Sequence, residues 1–401
     1  MATVVSTPVR PKPMAERLRN LGTESAFEVL ARAREIERTG RSVIHLEIGE
    51  PDFDTPRHIV EEAVNALRSG MTHYGPSAGL PEAREAIARY VRESRGVDVT
   101  PDWVVVTPGA KPIIFFTIFA LVDPGDEVIY PNPGFPIYES VIRFVGAKPV
   151  PIVLREENGF RVDIDELASL VTDKTKLIII NSPQNPTGGM LTPGDLATVA
   201  QIALERGIYV LADEIYSEIV YDGKFTSILH VAPEARENVI LLDGMSKTFA
   251  MTGWRLGWGV MPPTIAIAVS RLQTNSNSCT ASFSQKVIGP ALFGRRDEVV
   301  AMCREFRVRR DLVVDGLNRI PGISCLKPAG AFYVFPNISR LGMKAKEVER
   351  GLLEEAGVAA LAGTSFGSGG EGYLRLSYAN SQDNLREGLR RMEEWVKNHT
   401  H

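Results

Sequence analysis

Apolar segments of strand length alternate with helical stretches through the middle of the chain. After residue 56 these segments are WVVVT (103 to 107), EVIYP (127 to 131), KLIIIN (176 to 181), IYVLAD (208 to 213) and VILLDG (239 to 244). The last three begin about thirty residues apart, which is the length of one strand-helix-strand unit. Continuously apolar strands are typical of sheets that are covered on both faces. The pattern therefore predicts an α/β fold with a largely parallel sheet wrapped by helices.

The two ends of the chain have a different pattern. FEVLARAREIERTG predicts a helix that ends near Gly40, and SVIHLEIG predicts a short strand before the turn-rich GEPDFDTP. The last hundred residues predict a long helix around 290 to 318, a helix around 345 to 356, the strand YLRLSYA and a closing helix. We interpret these parts as a smaller α+β domain. The expected division is 1–55 for an N-terminal arm and part of the small domain, 56–290 for the large domain, and 291–401 for the small C-terminal domain.

Composition and charge argue against several classes of protein. The chain has 401 residues, of which 44% are hydrophobic and 23% charged, as in globular proteins. Its net charge of −4 and scattered basic residues argue against a nucleic-acid partner. The longest apolar run, 113–122, is too short to span a membrane. MATVVSTPVRPKP lacks the apolar core of a signal peptide and predicts a loose arm. Three cysteines without metal-ligand spacing are typical of a cytoplasmic protein with reduced thiols.

Two local patterns are assigned no function. The basic residues from Arg304 to Arg310 lie in a stretch with helical periodicity, which indicates a solvated helix face. Gly367, Gly369 and Gly372 have the spacing of a dinucleotide-binding fingerprint, but they run directly into YLRLSYA instead of following a strand and opening a helix. A loop is the better interpretation of these glycines.

Polar residues follow three of the predicted strands. KLIIIN leads to a turn with Asn185, IYVLAD ends in Asp213 with Tyr216 one helical turn later, and VILLDG leads to Ser246 and Lys247. Taken singly, an Asp that ends a strand is commonly a helix cap, and a loop Lys is commonly solvated. Together they favour a shared site, because ligands of open α/β sheets bind beyond the carboxyl ends of the strands.

The residue types in this group suit one kind of cofactor. A lysine amine such as that of Lys247 forms a Schiff base with an aldehyde, and a carboxylate such as that of Asp213 keeps a pyridine nitrogen protonated. A phenol and a carboxamide, from Tyr216 and Asn185, can hydrogen-bond a ring hydroxyl. Once released by a substrate amine, Lys247 becomes a base placed to move the Cα proton.

An anion site is also indicated. WVVVT meets a turn with Gly109, Ala110 and Lys111 at the start of an apolar helix, where backbone N–H groups can bind phosphate. Arg255, eight residues after the candidate lysine, offers a guanidinium that binds phosphate in a fork. Phe135 can stack on a cofactor ring, although a plain core aromatic is an equally good interpretation of its spacing.

Six segments carry a resemblance to a known family: GEPDFDTP, HYGPSAGLPEAREAI, NSPQNPTG, ADEIY, SKTFAMTGWRLG and RLSYAN. Spread in order over nearly the whole chain, they resemble class I aminotransferases of the pyridoxal-phosphate (PLP) fold type I. The resemblance is greatest to the bacterial aspartate aminotransferase subgroup, whose other members use alanine, aromatic or prephenate-type substrates. It implies a large domain with a mostly parallel seven-stranded sheet covered by helices, a smaller α+β domain, and PLP as the cofactor.

The resemblance also implies roles for residues. Lys247 would hold PLP, Asp213 would pair with the pyridine nitrogen, Asn185 and Tyr216 would contact the ring oxygen, and Arg255 would bind phosphate.

For the substrate, the resemblance implies that Arg375 clamps the α-carboxylate with the N–H of Gly49 beside it. Tyr74 would cross to the neighbouring subunit's phosphate, which makes a homodimer with shared active sites the expected unit.

The sequence departs from the family pattern at two positions. Phe135 stands where the aspartate enzymes usually have Trp, and Gly244 stands where many members have a serine that contacts phosphate. An arginine for a distal carboxylate has no counterpart in TNSNSCTASFSQ, and Lys111 is the possible substitute.

The expected reaction is ping-pong transfer of an amino group. The donor would be an L-amino acid of the aspartate, alanine or aromatic class, and the acceptor a 2-oxoacid such as 2-oxoglutarate. Two alternatives stay open at this point: a PLP-dependent carbon–sulfur β-lyase, and an aminotransferase-like regulator. A regulator would need a DNA-binding domain, for which the roughly fifty residues before GEPDFDTP leave no room.

Overall fold

The computed structural model describes residues 12–399, so most of the predicted N-terminal arm, residues 1–11, lies outside the described residues. The strands are β1 Ile44–His45, β2 Val104–Thr107, β3 Glu127–Asn132, β4 Lys148–Val153, β5 Thr175–Asn181, β6 Tyr209–Asp213, β7 Val239–Gly244, β8 Gly257–Val260, β9 Tyr333–Val334, β10 Val358–Ala359, β11 Leu361–Ala362 and β12 Leu374–Ser377. The helices are α1 Ala26–Arg38, α2 Arg57–Arg68, α3 Pro81–Arg95, α4 Lys111–Leu121, α5 Ile137–Phe144, α6 Ile164–Leu170, α7 Pro193–Arg206, α8 Ile228–Val231, α9 Met245–Thr248, α10 Pro263–Asn277, α11 Ser282–Gln285, α12 Ile288–Phe293, α13 Asp297–Leu317, α14 Ala345–Gly351 and α15 Gln382–His399.

A seven-stranded sheet forms the centre of the molecule. Its strand order is β2-β8-β7-β6-β5-β3-β4, and β8 alone within it runs antiparallel to its neighbours. The α/β prediction with a mostly parallel sheet is therefore confirmed. The carboxyl ends of β5, β6 and β7 lie side by side, because Asn181 pairs with Asp213 and Asp213 with Leu242.

The apolar character of these strands follows from packing on both faces of the sheet. Alternate residues point to opposite faces. In β6, Leu211 joins one hydrophobic cluster while Val210 and Ala212 join the other, and all three are at most 1% exposed. Helices on both sides leave no polar face, which explains why the strands are continuously apolar.

The chain ends meet in a second region with two small sheets. β1 pairs in parallel with β10, with Ile44 opposite Val358, and β9, β12 and β11 form an antiparallel sheet. The helices α13 and α15 pack against each other beside these strands. The N-terminal segment and the C-terminal part thus form one α+β region, as expected from the sequence.

Three features differ from the sequence-based predictions. SVIHLEIG contributes only two residues to a strand ladder, and neither β4 nor β8 was predicted. The interpretation of Arg304 to Arg310 as a solvated face was wrong for two of its residues. Arg309 and Arg310 are 7% and 0% exposed and pair with Asp52 and Asp222, because α13 packs on the loop after β1 and on the segment after β6.

Candidate active site

A cavity of about 470 Å³ opens beyond the carboxyl ends of β5, β6 and β7. The N-terminal segment and the second region form its other walls. Its lining includes Glu24, Gly49, Ala110, Lys111, Phe135, Tyr138, Asn185, Asp213, Tyr216, Ser246, Lys247, Arg255, Tyr333, Ser365, Phe366 and Arg375. This is the position at which open α/β sheets bind ligands.

Lys247 lies in α9, directly after β7. Its Nζ donates a hydrogen bond to the carbonyl oxygen of Gly49 at 2.6 Å and lies 5.7 Å from the ring centroid of Phe332. Burial lowers the pKa of Lys247 to about 8, and the attraction of Glu50 opposes the decrease only in part. About a tenth of this amine is therefore neutral at pH 7, far more than for an ordinary lysine, and the neutral amine is the form that acts as a nucleophile or base.

Asp213 ends β6 and is 5% exposed. One carboxylate oxygen accepts a hydrogen bond of 2.6 Å from the hydroxyl of Tyr138, and the other accepts one of 3.3 Å from the backbone N–H of Ile215. Burial raises the pKa of Asp213 to about 6, although the hydrogen bond from Tyr138 works in the opposite direction. A cationic partner in the cavity would relieve this cost of burying the carboxylate.

Asn185 and Tyr216 contribute the groups beside this carboxylate. The backbone N–H of Asn185 is held by the side chain of Asn181 at 2.9 Å, while its own Oδ1 is buried without a described hydrogen-bond partner. The hydroxyl of Tyr216 lies 2.9 Å from that of Tyr333. The backbone of Asn185 and the hydroxyl of Tyr216 are thus held by neighbours, and both residues line the cavity.

Arg255 and the start of α4 form a cationic end of the cavity. The guanidinium of Arg255 is exposed and donates to the carbonyl oxygen of Thr252 at 2.7 Å. Gly109 has a φ of +92°, and any side chain there would collide with this guanidinium. Its N–H donates to the carbonyl of Thr107 at 2.8 Å, contrary to the expectation that it faces an anion. The amides of Ala110 and Lys111, which lie at the helix start, are left for that role.

Arg375 lies in β12 on the opposite wall and is 4% exposed. It donates from Nη2 to the carbonyl oxygen of Glu47, while its Nε is buried without a described hydrogen-bond partner. The aromatic rings of Tyr333 and Phe366 lie 4.6 and 5.1 Å from its guanidinium carbon. Because the guanidinium of Arg375 is held by one carbonyl oxygen and two ring faces, some of its N–H groups stay free to bind an anionic ligand.

Lys111 and Phe135 lie close together in the lining. The Nζ of Lys111 is 5.3 Å from the ring centroid of Phe135 and forms an ion pair with Glu24. The ring of Phe135 contacts that of Tyr138 edge to face at 5.8 Å, so it lies beside the tyrosine that holds Asp213.

A buried ion cluster supports the site from below. Arg95, at the end of α3, is 3% exposed and donates to Glu214 and Asp243, each at 3.2 Å. These acids are the chain neighbours of Asp213 and Gly244. Burial raises the pKa of Asp243 to about 7, while Arg95 opposes the increase. The cluster therefore ties the ends of β6 and β7 together beneath the cavity.

The structure thus places all but two of the predicted site residues in the lining of this cavity. The exceptions are Gly109, which directly precedes the lining residue Ala110, and Tyr74, which is 91% exposed. Tyr138, Tyr333 and Glu24 were missed. Tyr138 follows Phe135 by three residues, a helical spacing that could have revealed it, whereas no local pattern singles out the other two.

The described residues contain neither a metal-ligand cluster nor a membrane-spanning helix. Within residues 12–399, no group of three or more His, Cys, Asp or Glu side chains could hold a metal ion. In the same range, no helix combines the length and apolar composition needed to cross a membrane.

Comparison with known proteins identifies the family. Residues 41–392 match the family of class I and II aminotransferases. The chain is 43% identical over 386 residues to an aspartate aminotransferase of Pyrococcus horikoshii, covering 95% of this chain and 96% of that one. It is 40% identical over 390 residues to a probable aspartate/prephenate aminotransferase of Aquifex aeolicus, covering 96% and 98%. The structure of aspartate aminotransferase from Thermus thermophilus with maleate matches with a TM-score of 0.92 at 36% identity, covering 96% of this chain and 100% of that one. The sequence-based resemblance is confirmed: the chain belongs to the class I and II aminotransferase family.

Proposed function

We propose that this protein transfers an amino group between an L-amino acid and a 2-oxoacid with PLP held in the cavity and joined to Lys247. The observation that carries the proposal is the position of Lys247. A lysine amine with a lowered pKa lies in one cavity with a buried carboxylate, Asp213, and with the cationic end formed by Arg255. The two alternatives that the sequence leaves open, a β-lyase and a regulator, have no observation in their favour.

The cavity fits PLP because several of its buried polar groups lack described hydrogen-bond partners, which a bound PLP and substrate would supply. The Oδ1 of Asn185 and the Nε of Arg375 are buried with no described hydrogen bond, and burial holds the pKa of Asp213 above its ordinary value. When bound, PLP supplies an aldehyde that condenses with amines and a protonated pyridine ring that withdraws electrons. Asp213 would hold the ring nitrogen proton, and Asn185 and Tyr216 would hydrogen-bond the ring oxygen.

The remaining cofactor contacts follow from the lining. The amides of Ala110 and Lys111, the hydroxyl of Ser246 and the guanidinium of Arg255 would bind the phosphate, which Gly109 leaves room to approach. Phe135 would stack on the ring.

Lys247 would also move the proton. Its amine, once free, would take the Cα proton of the amino acid and return it to the carbon on the other side of the amine nitrogen, the former aldehyde carbon of the cofactor. Because its pKa is about 8, it can hold and release a proton near neutral pH. Gly49 fixes its Nζ through a hydrogen bond of 2.6 Å, and the ring centroids of Tyr216 and Phe332 lie 6.0 and 5.7 Å from that atom.

Arg375 and the backbone N–H of Gly49 would bind the α-carboxylate of the substrate.

Among aspartate, alanine and aromatic donors, the presence of Lys111 in the lining favours an acidic one. Lys111 forms an ion pair with Glu24, so a distal carboxylate would have to exchange with that acid. The aspartate aminotransferase names of the relatives support the same choice.

We also propose a cytoplasmic homodimer with shared active sites. Tyr74 supports it, because an aromatic side chain that is 91% exposed lies outside the lining of its own cavity. In a dimer, the Tyr74 hydroxyl would reach the phosphate in the other subunit.

The test combines cofactor attachment with a donor panel. Borohydride reduction of the PLP-loaded protein should fix the cofactor on the peptide that contains Lys247, and Lys247→Ala should stay folded but bind PLP weakly and not turn over. Attachment to another lysine would overturn the assignment.

A panel of donors and acceptors identifies the substrates: aspartate, alanine, phenylalanine and glutamate, each tested with 2-oxoglutarate, pyruvate and oxaloacetate. Conversion to the pyridoxamine form with glutamate distinguishes a transaminase from a β-lyase.

A further inference from the structure

Tyr333, in β9, touches two functional groups at once. Its side chain is 1% exposed, and its hydroxyl lies 2.9 Å from that of Tyr216. The guanidinium carbon of Arg375 lies 4.6 Å from its ring centroid. We propose that Tyr333 is a positioning residue that orients Tyr216 through its hydroxyl and holds Arg375 against its ring. The proposal rests on the proposed function, because it concerns how the ring-oxygen and carboxylate contacts are aligned.

The strand register explains the contact with Arg375. Tyr333 pairs with Ser377 in the antiparallel ladder of β9 and β12, and Arg375 lies two residues before Ser377. Residues two apart in a strand point to the same face, so Tyr333 and Arg375 are diagonal neighbours within reach of long side chains. The ring of Tyr333, with that of Phe366, therefore stabilises a buried cation for which no carboxylate hydrogen bond is described.

The backbone of Gly49 fixes the phenol from another side. A side chain at position 49 would collide with the Tyr333 hydroxyl, so the two lie in close contact. The carbonyl of Gly49 accepts the hydrogen bond from Lys247. Tyr333 is thus held between the segment that binds the lysine and the strand that carries Arg375.

The contact with Tyr216 depends on which phenol donates. Burial raises the pKa of both phenols and Arg375 opposes the increase at both, but Asp213 adds to it at Tyr216, whereas the hydrogen bond with Tyr216 lowers the pKa of Tyr333. Tyr333 is therefore the better donor. When it donates to Tyr216, the Tyr216 hydrogen is free to point into the cavity and to bond the ring oxygen.

Two substitutions separate these contacts. Tyr333→Phe removes the hydroxyl and keeps the ring, whereas Tyr333→Leu removes both. The readouts are the pH at which the absorbance of bound PLP changes and the dissociation constant of the best amino donor, measured in single half-reactions.

In Tyr333→Phe, Tyr216 becomes a weaker donor and leaves more charge on the ring oxygen. The absorbance transition should then move to higher pH by about half a unit, with unchanged donor affinity. Tyr333→Leu should show the same change and also bind the donor about three- to tenfold more weakly, because Arg375 loses a ring contact.

Tyr378→Phe is the matched control. Tyr378 is also a buried phenol near a second tyrosine, with its hydroxyl 3.0 Å from the carbonyl of Ala331 and 3.4 Å from the hydroxyl of Tyr221, but it is outside the lining. It should change the thermal melt and leave both readouts as in the unsubstituted protein.

An unchanged absorbance transition in Tyr333→Phe, or equal shifts in Tyr333→Phe and Tyr378→Phe, overturns the role at Tyr216. Equal donor affinities in Tyr333→Phe and Tyr333→Leu overturn the role at Arg375. If the unsubstituted protein does not join PLP to Lys247, the proposed function fails first; if it does and Tyr333→Phe titrates normally, this inference alone fails.

Discussion

Asp213 combines burial with a raised pKa, and its neutralisation is the sharpest test at the residue scale. Asp213→Asn keeps the shape but removes the charge that would hold the pyridine nitrogen protonated. Losing such an interaction in a closed site costs about 3 kcal/mol, so the half-reaction should slow roughly a hundredfold. Stopped-flow absorbance measures this rate. Tyr138→Phe removes only the 2.6 Å hydrogen bond to the carboxylate and should cause a smaller loss. Near-normal rates in Asp213→Asn would show that another group holds the nitrogen.

Arg375 should be required by every donor and acceptor, since all carry the carboxylate that it is proposed to bind. Arg375→Lys keeps the charge but loses the planar fork that binds both oxygens and orients the Cα–H bond. We expect kcat/KM to fall by about ten- to a hundredfold for all donors alike. Arg309→Lys is the control, because Arg309 is also buried and bonds Asp52 at 2.7 and 2.9 Å, outside the cavity lining. It should change the thermal melt only. A loss in Arg375→Lys confined to one donor would contradict the clamp.

At the scale of elements, the short strand β1 is held in place by contacts between the side chain of His45 and two glutamates. His45 bonds Glu47 at 2.8 Å and Glu37 at 3.1 Å, and Glu47 is fully buried. The hydrogen bond with Glu47, against the effect of burial, raises the pKa of His45 from 6.5 to about 9. Because the pKa of His45 is higher in the folded state than in the unfolded state, protonation of His45 stabilises the fold. This stabilisation is complete below pH 6.5 and is lost as the pH rises through 9.

His45→Gln should therefore lower the melting temperature most near pH 6 and much less above pH 9. Thermal melts of both proteins across this range measure the difference. His230→Gln replaces an exposed histidine and should show no such trend. A melting difference for His45→Gln that is the same at both ends of the range would exclude the charged pair.

The sequence predicts an element well when its local pattern and its packing agree. β5, β6 and β7 were predicted to within one residue, because strands buried on both faces are continuously apolar. β4 was missed because KPVPIV contains two prolines, which an edge strand tolerates, and β8 was missed because GWGV is rich in glycine. Both strands are stabilised by neighbours that local propensity does not describe.

The same limit applies to the site. Asn185, Asp213 and Lys247 were grouped correctly, because parallel neighbouring strands place their carboxyl ends at one edge. Tyr333 and Glu24 reach the cavity from the C-terminal part and the N-terminal segment, and no spacing in the sequence links them to these strands. The roles of all these residues in binding and catalysis stay predictions.

At the scale of the whole molecule, the cavity lies between the central sheet and the region built by both chain ends. Arg375 belongs to that region, whereas Lys247 lies in α9 directly after strand β7 of the central sheet, so the proposed substrate site depends on how the two parts are aligned. The division at 55 and 290 stays a prediction. Tyr74 is 91% exposed, so its side chain is free to act on a second copy of the chain, as the proposed homodimer requires.

Mixed dimers decide whether the active sites are shared. If Tyr74 acts across the interface, a dimer of one Lys247→Ala chain and one Tyr74→Ala chain contains one intact site, because the chain that keeps Lys247 receives Tyr74 from its partner. Random reassociation of equal amounts should then give about a quarter of the unsubstituted activity, well above either variant alone. If Tyr74 acts in its own subunit, each site of the mixed dimer lacks one group and activity does not return. A mixture of Lys247→Ala with Asp213→Asn is the control, because both residues lie in the same cavity and no intact site can form. Return of activity in that control, or its absence in the Tyr74 mixture, would contradict the shared site.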